Sequence, residues 1–450
     1  MPGSSKQSPP STPSHNLQDD VFLTPAETWA LVGSQPLAQL SNMALLPSLG
    51  AMRAELALSY GELGIVVGAF GLARLLVDLP AGGLARRWNP RKVLLIAFAV
   101  SGLGSALGAL TANAWQIAGV RLLIGVASSI AQAMILAWLV GGTGRVARGR
   151  VMARGEALFS VAGLIVPALG GVLASQLSWR VAFVMGAIAA AIGFAAVFAF
   201  TRATGAARSV ALEQPPSATV ARPLTVNPSP GSRSPSRSPA PEPQNFFAMW
   251  RDLRLGGHIL LSAYVATFVV FFCRNGLLNA VLPLMGTDRL GIEPFQIGIL
   301  FSTINALSIG AVLLGGRAGD RFGRYRLLGP GLAILLVAQL ALFLIHDPLT
   351  YVIIGLLQGL SFFVNPLPTV LLGDSLPARV RPQGIAVYRA VSDLALLCAP
   401  SVMGAALQAG GFQAAEQASV AVIGIALAFV VAIYVRHGSA DRYASPADRH

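Results

Sequence analysis

The chain is predicted to be an all-α integral membrane protein, with twelve transmembrane helices in two pseudo-symmetric six-helix bundles. Three observations carry this. First, the 450 residues are 54% hydrophobic and only 11% charged, whereas a soluble protein carries about a quarter charged residues. Second, apolar runs of about 20 residues, the length that crosses a hydrocarbon core of roughly 30 Å, recur along the chain. Third, short basic clusters punctuate these runs, and the pattern of one half returns in the other.

The spans fall near 28–48, 61–85, 93–112, 115–140, 152–176 and 180–200, then near 256–286, 295–316, 327–346, 348–373, 383–409 and 414–435. Residues 1–26 are polar and rich in Ser and Pro. They lack the basic start and short apolar core of a cleaved signal peptide, so they read as a disordered cytoplasmic tail. Residues 202–250 are rich in Pro, Ser and Arg, including Ser-Pro-Ser-Arg-Ser-Pro at 234–239. Such a stretch buries too little apolar surface to fold alone and reads as a cytoplasmic linker. The bundles are therefore 27–201 and 251–437, with a cytoplasmic tail at 438–450.

Basic residues orient membrane proteins, because cytoplasmic loops are enriched in them. With both termini inside, the short inner loops carry fourteen: Arg86, Arg87, Arg91, Lys92, Arg145, Arg148, Arg150, Arg154, Arg317, Arg321, Arg324, Arg326, Arg379 and Arg381. The outer loops carry three, Arg53, Arg180 and Arg289. The expectation is a multi-pass protein of the cell membrane, of bacterial inner-membrane type, monomeric, with the bilayer as its principal partner.

The net charge of +13 does not point to nucleic acid, because the basic residues sit between apolar runs rather than along one polar face. Cys273 and Cys398 lie inside apolar runs and give neither a disulfide framework nor a metal-ligand spacing. There is no Gly-rich Lys-Ser/Thr phosphate loop, no metal-binding group and no nucleophile constellation. No enzyme, cofactor or ATP-driven pump is expected.

The halves resemble one another. Arg121-Leu-Leu-Ile-Gly125 matches Gly355-Leu-Leu-Gln-Gly359 at an offset of 234, and Arg86-Arg87-Trp88 matches Asp320-Arg321-Phe322 at the same offset. Pro167 aligns with Pro400 at 233. A near-constant offset indicates a duplicated six-helix unit, an arrangement that places a binding site between the repeats.

After helix 8 the chain reads Gly316-Arg317-Ala-Gly-Asp320-Arg321-Phe-Gly323-Arg324-Tyr-Arg326. Glycine permits a tight interhelical turn. The Asp can meet a helix N-terminus, and the arginines can pair with acids across the bundle interface. The first-half copy is degenerate, with Arg86 in place of the Asp and Asn89 in place of the Gly. Helix 4 carries Arg121-x-x-x-Gly125, and helix 5 carries Pro167-x-x-Gly170-Gly171, then Trp179-Arg180 and Phe183. Before helix 11 stands Gly373-Asp374-x-x-Pro377-x-x-x-Arg381.

Taken together, these motifs resemble the major facilitator superfamily over about residues 27–437. The loop after helix 8 resembles its signature, and helices 4 and 5 resemble those of the twelve-helix drug:proton antiporter group. The resemblance implies the twelve-helix fold and secondary transport. It implies a proton-coupling role for Arg121 and an antiporter motif at Pro167, Gly170 and Gly171, with Val166 replacing the usual preceding Gly. Plain helix packing explains the same small residues equally well.

Ionisable residues inside spans default to functional hypotheses. Arg74 and Asp78 lie on helix 2, Arg121 on helix 4, Arg274 on helix 7, and Arg389 and Asp393 on helix 11. Asp78 and Asp393 are proton-acceptor candidates. Arg121 differs from Asp78 by roughly 16 Å in depth, at about 1.5 Å per residue, and matches Gln39 and Asn42 better. Counted from the inner surface, Asp78 matches Arg389 and Arg74 matches Asp393, which suggests a two-rung cytoplasmic gate. Self-neutralisation within each helix is the plain alternative. Glu156, at the inner start of helix 5, is expected to pair with Arg317 to Arg321 when the cytoplasmic side closes. Substrate-cavity candidates are Gln35, Gln39, Asn42, Arg274, Asn275, Asn279, Gln358 and Asn365, each equally able to serve as a helix–helix hydrogen bond.

The expected function is proton-coupled export of drugs or other hydrophobic small molecules by alternating access. The alternatives are a carrier for a sugar, organic anion or other metabolite, and a transport-inactive receptor or scaffold on the same fold. An apolar cavity suits lipophilic cargo, whereas Arg274 suits an anion.

Overall fold

The computed structural model describes residues 23–78, 89–201, 257–376 and 381–437, without the side chains of residues 78, 145, 146, 381–383 and 437. The linker, most of the expected tails, the degenerate first-half loop and the loop before helix 11 lie outside these residues, apart from 23–26, Asn89–Lys92, 373–376 and the backbones of Asp78 and Arg381.

Ten helical segments are long and apolar enough to cross a membrane. Two features bring the described chain to twelve. The first helix, α1, is broken into Pro25–Leu37, Leu40–Leu45, Leu46–Ser48 and Leu49–Glu55. The last segment, Arg381–His437, is two helices joined at Gly410 and Gly411. Gly411 holds φ of 67°, a conformation glycine adopts freely. We number these α11 (381–409) and α12 (412–437).

Between them run α2 (Tyr60–Asp78), α3 (Pro90–Gly108), α4 (Ala114–Gly142), α5 (Arg145–Gln176) and α6 (Val181–Phe200). The second half continues with α7 (Gly257–Arg289), α8 (Pro294–Phe322), α9 (Arg324–Leu344) and α10 (Pro348–Ser375).

Local chemistry sets the starts. Thr24 and Glu27 form a capping box at α1, and Asn89 accepts from the backbones of Arg91 and Lys92 at α3. Asp347 caps α10, and the Thr350 backbone and hydroxyl hold its carboxyl below the usual carboxylate range. At α5 the helix is longer than the sequence predicts. Its 32 residues span about 48 Å at 1.5 Å each, well beyond the hydrocarbon core. Glu156, expected at the helix start, therefore lies three turns along it.

Within each half the helices pack on one another, and the principal contacts between halves are α2 with α11, α5 with α8, and the tips of α1 and α7. The connections at the end carrying Arg53 are short: 56–59, 109–113, 177–180, 290–293, 345–347 and the Gly410–Gly411 joint. The opposite end carries the α8–α9 turn at Gly323.

Candidate functional site

Three helices depart from regular α geometry in their interior, apart from the closing 3-10 turn of α9. Pro36 sits inside α1, which breaks again at the Leu46–Ser48 turn of 3-10 helix. Proline removes a backbone donor and crowds the preceding turn. In α7 the stretch Cys273–Val281 is π-helical, a widened turn that recurs at functional sites. In α10 a 3-10 turn at Phe362–Val364 precedes Pro366.

Two of these irregular stretches meet at Arg274. The Arg274 guanidinium lies 4.8 Å from the Phe362 ring centroid and 3.4 Å from Asn305 Oδ1. Among the described residues no carboxylate lies within ion-pair distance of it. Asn305, on α8, was missed at the sequence level. Its Nδ2 donates to Gly163 O on α5 at 3.1 Å. Gly163 stands four residues before Pro167, so its carbonyl has no helical N–H to receive. Asn305 thus bonds, from the other half, the acceptor that Pro167 strands. The Ala168 amide donates to Ser302 Oγ alongside.

This accounts for the α5 motif in packing terms. A Cβ on Gly171 would lie 2.4 Å from Pro294 O, one on Gly298 2.4 Å from Pro167 O, and one on Gly170 2.7 Å from Ala44 O. Small residues let backbones approach this closely.

The other cavity candidates separate. Arg121 is buried, and it donates to Val66 O at 2.8 Å and Asn42 Oδ1 at 3.0 Å beside the Phe70 ring. It meets α1, as its depth predicts. Asn275 donates to Phe271 O within α7, and Asn279 to Asn275, so both amides serve the π-helical stretch. Gln358 is buried between Gln339 and Ala338 O as a helix–helix bond. The Gln35 carbonyl accepts from Gln132, and Gln39 is buried at the α1 break. Asn365 is half-buried and makes no capping bond.

Of the paired charges, Arg74 and Asp393 meet across the halves, Nε to Oδ1 at 3.1 Å, with Asp393 buried. Arg389 is exposed, and its expected partner Asp78 lies outside the described side chains. Glu156 is exposed and makes no ion pair among the described residues.

In the loop after α8, Gly323 holds φ of 91°. Arg324 pairs with Asp320 at 2.7 Å and also with Asp374. The expectation for this loop was an Asp at a helix N-terminus and arginines reaching across the bundles. Instead, Asp320 takes a guanidinium and Arg324 binds acids of its own half. Gly316, Arg317 and Arg321 line the same helix end, with Arg321 over the Phe322 ring.

At the opposite end the sequence reading missed a latch. Arg53 donates to Asp288 at 2.8 Å and Tyr60 donates to the same carboxylate at 3.0 Å. The pair joins the tips of α1 and α7. Its signal was present: the residues lie 235 apart, one more than the repeat offset, so they occupy near-equivalent tips of α1 and α7, which meet between the halves.

The family model of the major facilitator superfamily matches residues 31–311 and 263–449. The inner membrane transport protein YajR of Escherichia coli is 30% identical over 39% of the chain, and azole resistance protein 1 of Saccharomyces cerevisiae 29% over 28%. These matches span only 39% and 20% of those relatives' lengths. Among solved structures, an inward-facing, occupied bacterial homolog of the human lysosomal transporter Spinster superposes at a TM-score of 0.69, with 15% identity over 90% of this chain and 96% of that one. The nucleoside transporter NupG superposes at 0.61, with 15% identity over 91% and 98%. Twelve helices in duplicated halves, the α8–α9 loop and the match of the family model over most of the chain lead to one conclusion: this multi-pass membrane protein belongs to the major facilitator superfamily.

Proposed function

We propose that the chain is a secondary carrier working by alternating access, and that its cargo is an amphipathic organic anion. The carrying observation is Arg274, a cation at mid-span with an aromatic ring on one side, one long amide contact and no carboxylate within ion-pair distance among the described residues. A charge so placed is costly unless something completes its coordination. Arg121, by contrast, already has a carbonyl and an amide. The latch at Arg53, Tyr60 and Asp288 and the pair Arg74–Asp393 would serve as gates at different depths.

The test is counterflow in proteoliposomes with a panel of anionic, neutral and cationic amphiphiles. Arg274→Gln should lower anion uptake at least tenfold while the protein inserts and melts normally, and Arg274→Lys should recover part of it. Unchanged anion uptake in Arg274→Gln would overturn the assignment.

A second reading is proton-coupled export of uncharged lipophilic drugs from the cytoplasm, in an inner membrane, with both termini cytoplasmic. It is supported by the buried Asp393, a carboxylate able to load and release a proton, and by the partial likeness to a protein named for azole resistance. Asp78 is the second acceptor in this reading, and Arg121 tunes the coupling. Drug efflux from everted vesicles should collapse when the pH gradient is dissipated. Efflux indifferent to that gradient would remove the proton from the mechanism.

A further inference from the structure

The two halves differ where the third helix of each meets the sixth. In the first half the junction is closed. Arg91, in the first turn of α3, donates to Phe198 O at 2.9 Å and Thr201 Oγ1 at 3.2 Å at the end of α6. Deeper in, the Phe98 ring fills the space over Gly193, where a Cβ would lie 2.5 Å from it. At the repeat offset of 234, Arg91 becomes Tyr325, Phe98 becomes Leu332 and Gly193 becomes Leu427. The junction of α9 and α12 is shaped differently. It holds a groove of about 400 Å³, lined by Tyr325, Arg326, Pro330, Leu427, Val430 and Tyr434 among others.

The groove occupies the first turns of α9, next to the Gly323 turn, and therefore opens at the membrane surface. Its deep part is aliphatic. The Tyr325 and Tyr434 rings line it 5.6 Å apart, the Tyr325 hydroxyl buried, and the exposed Arg326 stands beside them, with Arg436 at the same end of α12. Exposed basic residues at the end of two helices beside an apolar slot match the amphipathic layering of a phospholipid.

We propose that this groove is a binding site for one anionic glycerophospholipid, its acyl chain between α9 and α12 and its phosphate at Arg326. It stands apart from the transport site and does not depend on what the carrier moves.

Native mass spectrometry of the full chain, equilibrated with equal phosphatidylglycerol, phosphatidylethanolamine and phosphatidylcholine, tests this. The wild type should retain one phosphatidylglycerol at least fivefold over phosphatidylcholine. Arg326→Gln should lose that preference while still retaining lipid. Ala333→Phe, which fills the slot, should lower retention of all three. Equal retention of the three lipids by wild type, or undiminished retention in Ala333→Phe, would overturn the proposal. Displacement of the lipid by millimolar inorganic phosphate would also overturn it, leaving only a phosphate site. Should either variant fold poorly, Tyr434→Trp gives an independent readout. Its added fluorescence should be quenched more by phosphatidylglycerol brominated on the acyl chain than by brominated phosphatidylcholine, and equal quenching counts against the site.

Discussion

Gly323 shows how one residue of the α8–α9 loop earns its place. Its φ of 91° lies where a Cβ is strained, and the chain uses it to turn from α8 into α9 within a single residue. Gly323→Ala should cost roughly 1–3 kcal/mol, visible as a lowered melting temperature of the purified protein. In the first half the equivalent Asn89 takes an ordinary φ of −67° and caps α3 with its side chain. The degenerate copy is thus a different solution, capping instead of a left-handed turn. That Gly323 sits in a turn was legible in the sequence. The role of Asn305 was not, because an amide in an apolar helix has many possible acceptors, and only the fold sets it opposite the carbonyl that Pro167 strands. Asn305→Leu should cost about 1 kcal/mol, as interhelical hydrogen bonds in membranes do, and Asn305→Ser should recover little because the shorter side chain does not reach. Differential melting of the two variants checks this.

Helices were the most legible elements, since hydropathy and length decide whether a segment spans a bilayer. Their interruptions were less so. Pro36, Pro366 and Pro283 stand at or just past the breaks in α1, α10 and α7, but a proline does not say that the α7 stretch is π-helical, with Asn275 taking over a carbonyl of its own helix. Four of the amides read as cavity candidates are hydrogen-bonded to protein neighbours, Asn275 and Asn279 within α7, Gln358 to α9 and Asn42 to Arg121. Polarity inside a span identifies such residues without saying which neighbour they face. Crossings are stricter than helices. Gly171→Leu would drive a branched side chain into the Pro294 backbone, and overpacking of this kind costs typically 1–3 kcal/mol. The expected result is a protein that inserts but transports poorly, read as retained membrane yield with counterflow reduced severalfold.

At the scale of the whole molecule, the halves tie their tips with opposite signs. Glu55 at the end of α1 pairs with Arg180 before α6 and accepts from Trp179, while Arg289 at the end of α7 lies 4.0 Å from Glu416 in α12. Acid and base have exchanged places between the repeats. The charges between halves are the natural switch. Asp288→Asn weakens a partly exposed pair worth about 1 kcal/mol, roughly a fivefold change in a two-state ratio. It should raise the fraction of molecules with that end open by a similar factor, read from spin-label distances between the tips of α1 and α7. For the other end, Asp78→Arg should abolish transport and added Arg389→Asp should restore part of it. A double variant no better than the single ones, with no cross-link between cysteines at 78 and 389, rules that rung out.

The brevity of the connections on the Arg53 side has a practical consequence. Six linkers, one of them only Gly410 and Gly411, give a protease no extended strand to thread into its cleft and an antibody little relief to grip. Cells exposing that side alone should yield an uncut chain after trypsin, even though Arg53, Arg180 and Arg289 are all potential cleavage points. Epitope tags placed in those linkers would have to displace helix ends, so the Arg53 side is the wrong place to label, and the side least open to immune or proteolytic recognition.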